Sequence, residues 1–204
     1  EAPYSPPKFK KLIISPYHTR KHFLSLLNTE IRNVKKGKEA WCTLKMNSLV
    51  DETLIRKLYA ASQSGVKIRI ICRGICMLIP GQEGLSENIE VISIIDRFLE
   101  HSRIYVFANG GNPLYYIASA DWMVRNLDHR FEIVCPIEDQ ALQKEIADML
   151  QIQWADNCKA RWVNKTGSGK INTYRNNTIN SGEIRSQPLI YNYFKEKAGN
   201  IKEN

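Results

Sequence analysis

Residues 40–74 read AWCTLKMNSLVDETLIRKLYAASQSGVKIRIICRG, two apolar runs separated by one amphipathic repeat. The runs, AWCTLKMN and VKIRIICRG, are short and rich in β-branched and aliphatic residues, which predicts strands. Between them Asp51 stands where an N-cap belongs. Leu54, Leu58 and Ala61 then fall on one face of a helix, and Gly65 sits at its C-terminal end. Strand, helix, strand, with the strands apolar on nearly every position, implies an α/β domain. The expected sheet is mixed and mainly parallel, with helices on both faces.

The same grammar extends outward. On the N-terminal side KLIIS reads as a short strand, and Phe23, Leu26, Leu27, Ile31 and Val34 recur at helical spacing as far as Gly37. On the other side, IEVISII and RIYVFA read as strands, and NGGNP as the turn of an antiparallel hairpin into LYYIASA. FEIVCPI adds a strand, and the helical stretch 138–157 carries Leu142, Ile146, Met149 and Leu150 on one side, closing the domain near Asn157. Residues 164–182 are almost devoid of apolar side chains and predict a long loop or a disordered stretch, after which QPLIYNYFKEK predicts a short docking helix.

Composition narrows the function. No apolar run approaches the roughly 18 to 20 residues that span a bilayer. EAPYSPPKFKK has no apolar signal core and reads as a linker. The formal charge is +8, but nine Lys or Arg against three Asp or Glu lie from Lys159 onward, so the body is nearly neutral. Any anion site in the body must therefore come from a few placed residues, and a nucleic-acid partner is not expected. Five cysteines, without metal-binding spacing, read as reduced thiols in a cytoplasmic protein, and no metal site is expected.

Side chains two apart on a strand share a face, so polar pairs at that spacing can present two groups to one ligand. Three occur at strand ends: Lys45 with Asn47, His101 with Arg103, and Ser119 with Asp121; Arg73 stands where IRIIC runs out. Ligands of open α/β sheets bind beyond the carboxyl ends of strands, which makes these residues candidates for a cationic pocket. Each has a structural reading too. Lys45 and Arg73 could be solvated strand ends, His101 a surface histidine, and Asp121 the cap of the short helix WMVRNLD. For His18, His22 and His129 the structural reading prevails. Gly110 and Gly111 serve the hairpin turn.

The runs KMNSLVD, residues 62–111, YYIASADWMVRNLDHRFEIVCPI, ADNCKAR and EIRSQPLIYNYF resemble the C-terminal region of the bacterial polyphosphate kinases. That resemblance implies a phospholipase D-like fold, the second of a tandem pair. The phospholipase D pattern, His-x-Lys, four residues, Asp, then Gly-Ser-x-Asn, is altered here: Arg103 replaces the Lys, Ala108 the Asp, and Ala118-Ser119-Ala120-Asp121 stands for the last element. These departures argue against a phosphodiesterase and suit a site that grips phosphoryl oxygens.

The resemblance also implies domain limits and roles. Residues 1–10 would be an interdomain linker, 11–162 the second phospholipase D-like domain, and 163–204 a basic, irregular, Asn-rich C-terminal extension. His101 would be catalytic, touching phosphate and moving a proton. Arg73 and Arg103 would clamp phosphate, Lys45 and Asn47 would add contacts, and Ser119 and Asp121 would orient the histidine. The substrates implied are ATP or ADP, with Mg2+ on the nucleotide, and inorganic polyphosphate. The phosphorylated histidine would belong to the preceding domain, so this fragment alone is expected to be inactive. The full-length protein would be a cytoplasmic homo-oligomer, with peripheral attachment to the inner membrane as an alternative. Two rival functions remain at this point: a phospholipase D-like phosphodiesterase or nuclease half-site, and a non-catalytic polyanion-binding module using the basic tail.

Overall fold

The computed structural model describes residues 9–163, 171–174 and 182–202. The elements in chain order are β1 (Ile13–Ile14), α1 (Thr19–Lys35), β2 (Trp41–Met46), α2 (Glu52–Gln63), β3 (Lys67–Cys72), β4 (Ile89–Ile94), β5 (Arg103–Phe107), β6 (Leu114–Ala118), α3 (Val124–Asp128), β7 (Ile133–Ile137), α4 (Gln140–Ala155), β8 (Ala160–Val163), β9 (Ile171–Tyr174) and α5 (Ser186–Lys202). Among the described residues the strands form one sheet in the order β1-β7-β6-β5-β2-β3-β4-β8-β9. The linker expected over residues 1–10 lies, apart from Phe9 and Lys10, outside the described residues.

The stretch 40–74 folds as its pattern implies. β2 and β3 pair in parallel, and α2 returns between them. Its N-cap is Asp51, whose Oδ1 accepts from the Leu54 N–H at 3.0 Å. Gly65, at φ +96°, turns the chain out of the helix.

The sheet is mixed, but the expectation that it is mainly parallel holds only in the centre. β2–β3 and β3–β4 are parallel, whereas β5, β6, β7 and β1 on one side and β8 and β9 on the other all join antiparallel. For β5 and β6 the cause is connection length. A parallel crossover needs about a dozen residues or more, and the links from β4 to β5 and from β5 to β6 are shorter. The β5–β6 link is the expected tight turn, with Gly110 at φ +68° and Gly111 at φ +99°.

The two faces of the sheet carry separate cores. α1 and α2 cover one, where Phe23, Tyr105 and Trp122 are fully buried. Tyr105 stacks on Trp122 with ring centroids 5.5 Å apart, and Phe23 lies 4.6 Å from Tyr105. Each such burial contributes about 2–3 kcal/mol. α4 covers the other face over Ile71, Ile92, Ile104 and Val106. No described helix is long and apolar enough to cross a membrane.

The C-terminal extension is more regular than expected. β9 pairs with β8 inside the stretch read as a loop, while the rest of 164–181 lies outside the described residues. The docking helix is α5. The Ser186 N–H donates to Asp156 Oδ2 at 2.7 Å, Arg185 grips Asp96 at 2.8 and 2.6 Å, and Tyr193 donates to Asp148 of α4 at 2.9 Å. A sequence window finds the amphipathic helix but not these pairings, which join residues tens of positions apart.

His22 of α1 stands with its ring edge-on to Tyr116 at 5.2 Å, and its Nε2 is buried without a hydrogen-bond partner. Burial holds its pKa below the ordinary histidine value. The folded state therefore resists a proton that the unfolded chain accepts. The stability His22 allows is complete above about pH 6.5 and falls as pH drops through that value. Urea unfolding between pH 7.5 and 5.5 should show a shallower decline for His22→Phe than for the parent; equal declines would contradict this account.

Candidate functional site

The candidate residues converge on one end of the sheet. β2 and β3 finish there, and β5, antiparallel to β2, starts there, so Arg103 comes next to the row Met46–Cys72. The centre of this end is Asp121, a buried carboxylate just past β6. Its Oδ1 accepts from the Asn47 N–H at 2.7 Å, the Ser48 N–H at 3.3 Å and Asn47 Nδ2 at 3.3 Å. Arg103 adds a fork, Nε to Oδ1 at 3.2 Å and Nη2 to Oδ2 at 3.0 Å. Asn47 then presents its own Oδ1 to Arg73 Nε at 3.0 Å. One carboxylate thus ties together the ends of β2, β5 and β6, and through Asn47 sets the position of Arg73.

Arg73 is half-exposed, and among the described residues its two terminal nitrogens have no partner. It is a guanidinium fixed at its neck with its fork open, the form that suits bidentate contact with a phosphoryl group.

The second cluster lies on the α4 face. Lys45 Nζ donates to Glu100 Oε2 at 2.6 Å; Gln153 of α4 donates to the same carboxylate, and Gln187 of α5 donates to Glu100 Oε1 at 3.2 Å. Gln187 also clasps the backbone of Phe98, accepting from its N–H at 3.0 Å and donating to its carbonyl at 2.7 Å. The loop that carries His101 is therefore held by both C-terminal helices. Beside it opens a cavity of about 710 Å³ lined by Lys45, Phe98, His101, Met149 and Tyr191, among others. Burial, reinforced by the nearby charge of Arg73, outweighs Glu100 and lowers the pKa of Lys45.

Several expected roles change. His101 and Arg103 do not share a face, because β5 begins only at Arg103 and alternation does not reach back into the loop. His101 is exposed beside the α4–α5 cavity, whereas Arg103 commits its fork to Asp121 on the other face. The two residues meet only where the His101 carbonyl accepts from Arg103 Nη1 at 2.8 Å. Neither Ser119 nor Asp121 orients the histidine. The Ser119 hydroxyl donates to Glu132 and accepts from the Ile133 N–H at 3.0 Å, fastening β6 to the start of β7. Asp121 does not cap α3 either, whose first turn has no side-chain cap. Lys45 and Asn47 likewise part, one to Glu100 and the other to Asp121. Sequence reasoning missed Glu100 and Gln187: a glutamate next to a histidine and a glutamine at a helix start carry no signal until the chain closes.

The fold has counterparts among known proteins. The profile of the family described as polyphosphate kinase C-terminal domain 2 matches residues 12–187. This chain belongs to the polyphosphate kinase C-terminal domain family. It is 53% identical over 195 residues to the polyphosphate kinase of Vibrio cholerae, covering 96% of this chain and 27% of that protein. With that of Escherichia coli it shares 43%, covering 96% and 28%. The chain therefore spans little more than a quarter of those relatives. The crystal structure of polyphosphate kinase from Porphyromonas gingivalis superposes with a TM-score of 0.89 at 43% identity, over 95% of this chain and 29% of that one. Nuc from Salmonella typhimurium, a phospholipase D family member, shares the fold at a TM-score of 0.55 and 14% identity, over 76% and 97% of the two chains.

The contacts separate framework from exposed groups. Asp121→Ala would leave Arg103 buried without its partner and should cost about 3–5 kcal/mol in urea unfolding. Ser119→Ala should cost about 1–2 kcal/mol, and His101→Ala less than about 0.5 kcal/mol. A His101→Ala loss as large as that of Asp121→Ala would overturn this assignment.

Proposed function

We propose that this domain supplies half of an ATP and polyphosphate site. In the full-length protein the terminal phosphate of ATP would pass reversibly to inorganic polyphosphate through a phosphohistidine in the preceding domain. The observation that carries the reading is Arg73, held by Asn47 with an open fork at the strand ends where His101 is exposed. Family membership supports it.

Phosphoryl transfer asks a protein chiefly to position groups and to neutralise the charge that spreads over the equatorial oxygens. Arg73 is placed for the second task. His101 is exposed there, and its ring nitrogens can contact a phosphate oxygen and pass a proton. Arg103 is assigned to the frame, because gripping phosphate would require it to abandon Asp121. Asn47 positions Arg73, and Lys45 adds positive charge from the cavity wall. Magnesium arrives with the nucleotide. We assign a cytoplasmic, homo-oligomeric full-length enzyme, with peripheral attachment to the inner membrane as the alternative.

A phosphodiesterase reading loses ground for a physical reason. Ala108, at the place of an acid in that pattern, is buried and carries no titratable group. The tail is also less free to act alone as a polyanion binder, because Arg185 and Lys197 are paired to Asp96 and Glu145.

In the full-length enzyme, Arg73→Ala and His101→Ala should each lower the rate of polyphosphate synthesis by more than tenfold, about 1.4 kcal/mol of barrier; smaller losses would remove them from the essential site. The isolated domain should form no acid-labile phosphohistidine with labelled ATP, and robust labelling would defeat the two-domain account.

A further inference from the structure

The loop that carries His101 has little of its own to fix it. It runs over residues 95–102 between β4 and β5 without regular structure, and Ile95, Arg97, Phe98, Leu99, His101 and Ser102 are exposed. Apolar burial therefore cannot hold it. Only Asp96 and Glu100 are drawn inward, and both are carboxylates. The imidazole does not fix itself either: among the described residues the hydrogen bond of His101 is the one its carbonyl accepts from Arg103 Nη1 at 2.8 Å.

Both carboxylates are held from the start of α5 and the residue before it. Arg185 donates to Asp96 through Nε at 2.8 Å and Nη2 at 2.6 Å. Gln187 donates to Glu100 Oε1 at 3.2 Å and to the Phe98 carbonyl at 2.7 Å, and accepts from the Phe98 N–H at 3.0 Å. Between them Ser186 is fully buried, and its N–H donates to Asp156 Oδ2 at 2.7 Å. Asp156 is a firm anchor in turn, because its Oδ1 accepts from the N–H groups of Cys158, Lys159 and Ala160 at 3.0, 2.6 and 3.0 Å.

We propose that Gln187 is a positioning residue for His101, acting through the loop backbone with Arg185 beside it. The assignment rests on the proposed contact of His101 with phosphate. Every polar atom of the Gln187 amide is engaged, Nε2 with Phe98 and Glu100 and Oε1 with Phe98, so the side chain serves the loop and not the substrate. Nor is it needed to dock its own helix. α5 is fastened to α4 by Tyr193 on Asp148 and Lys197 on Glu145, and to the end of α4 by Ser186 on Asp156. Gln187 reaches past α4 to the loop instead.

The consequence for the site is geometric. Gln187 secures both backbone polar groups of Phe98 and the carboxylate of Glu100, the residue before His101, while Arg103 secures the His101 carbonyl on the other side. A backbone held on both sides of an exposed ring limits where that ring can reach. Phosphoryl transfer depends on such placement, since small displacements of a contacting group are costly in rate. The C-terminal helix thus belongs to the site, although its own side chains stay off the phosphates.

The test uses the full-length protein that carries this domain. Gln187→Ala should lower kcat for polyphosphate synthesis about tenfold and keep the KM for ATP within about twofold. Hydrogen exchange in the peptide spanning residues 95–102 should quicken about tenfold, with the β2 and β3 peptides unchanged. In a His101→Ala background the same substitution should cost less than about a further twofold, because a residue that acts only through His101 then has nothing to position. The full loss repeated in that background, a raised KM with kcat kept, or unchanged loop exchange would each overturn the assignment. Should Gln187→Ala unfold, Gln187→Met, which keeps the length and removes the amide, takes its place. Where His101→Ala leaves too little synthesis to measure, the split between kcat and KM and the loop exchange decide. Full synthesis by His101→Ala would count against the proposed function instead, and the exchange measurement would still decide whether Gln187 holds the loop.

Discussion

The carboxylate of Asp121 is the constraint on which the strand-end site depends. It is buried, and two chain segments reach it: Asn47 and Ser48 after β2, through their backbone N–H groups and the Asn47 amide, and Arg103 at the start of β5, through its guanidinium. A buried carboxylate is stable only when such donors replace the water it has lost. In satisfying Asp121, Asn47 is turned so that its remaining oxygen meets Arg73. The position of the open guanidinium is thus a consequence of the closure of the sheet.

The two faces of the sheet divide the labour. On the α1–α2 face, Arg103 and Asp121 hold one another. On the α4–α5 face, Glu100 collects Lys45, Gln153 and Gln187, while Gln187 also holds Phe98, so that the loop bearing His101 is fastened at several points with its imidazole still exposed. A phosphate arriving at the strand ends would find a fixed cation on one side and an exposed imidazole on the other. Such preorganised groups lower the barrier for phosphoryl transfer without rearranging during the step. In a phospholipase D-like frame, Arg103 and Ala108 remove the lysine and the acid of the phosphodiesterase pattern, and the arginine is turned to structural use.

Much of the fold was legible because it is written in local periodicity. The β2–α2–β3 unit, the Asp51 cap and the Gly110–Gly111 turn each depend on residues a few positions apart. The mostly antiparallel flanks were not legible, since strand direction depends on which neighbour a strand finds after a short link. Strand-end polar residues pointed to one end of the sheet, where the chain does gather them, with Arg73 half-exposed and His101 exposed. Reading pairs two apart as sharing a face failed for His101 with Arg103 and for Lys45 with Asn47, because one member of each lies outside its strand. Glu100, Gln187 and the partner of Ser119 were invisible, being defined by contacts between distant segments.

The central claim is that Arg73 and His101 receive the phosphates. A crystal structure of the full-length protein with Mg2+ and a non-hydrolysable ATP analogue tests it most directly. The account predicts phosphate oxygens within about 3.2 Å of the Arg73 guanidinium and in contact with the His101 ring, with Arg103 still paired to Asp121. Phosphates bound at the opposite end of the sheet or on the basic tail, with the Arg73 fork facing solvent, would contradict it.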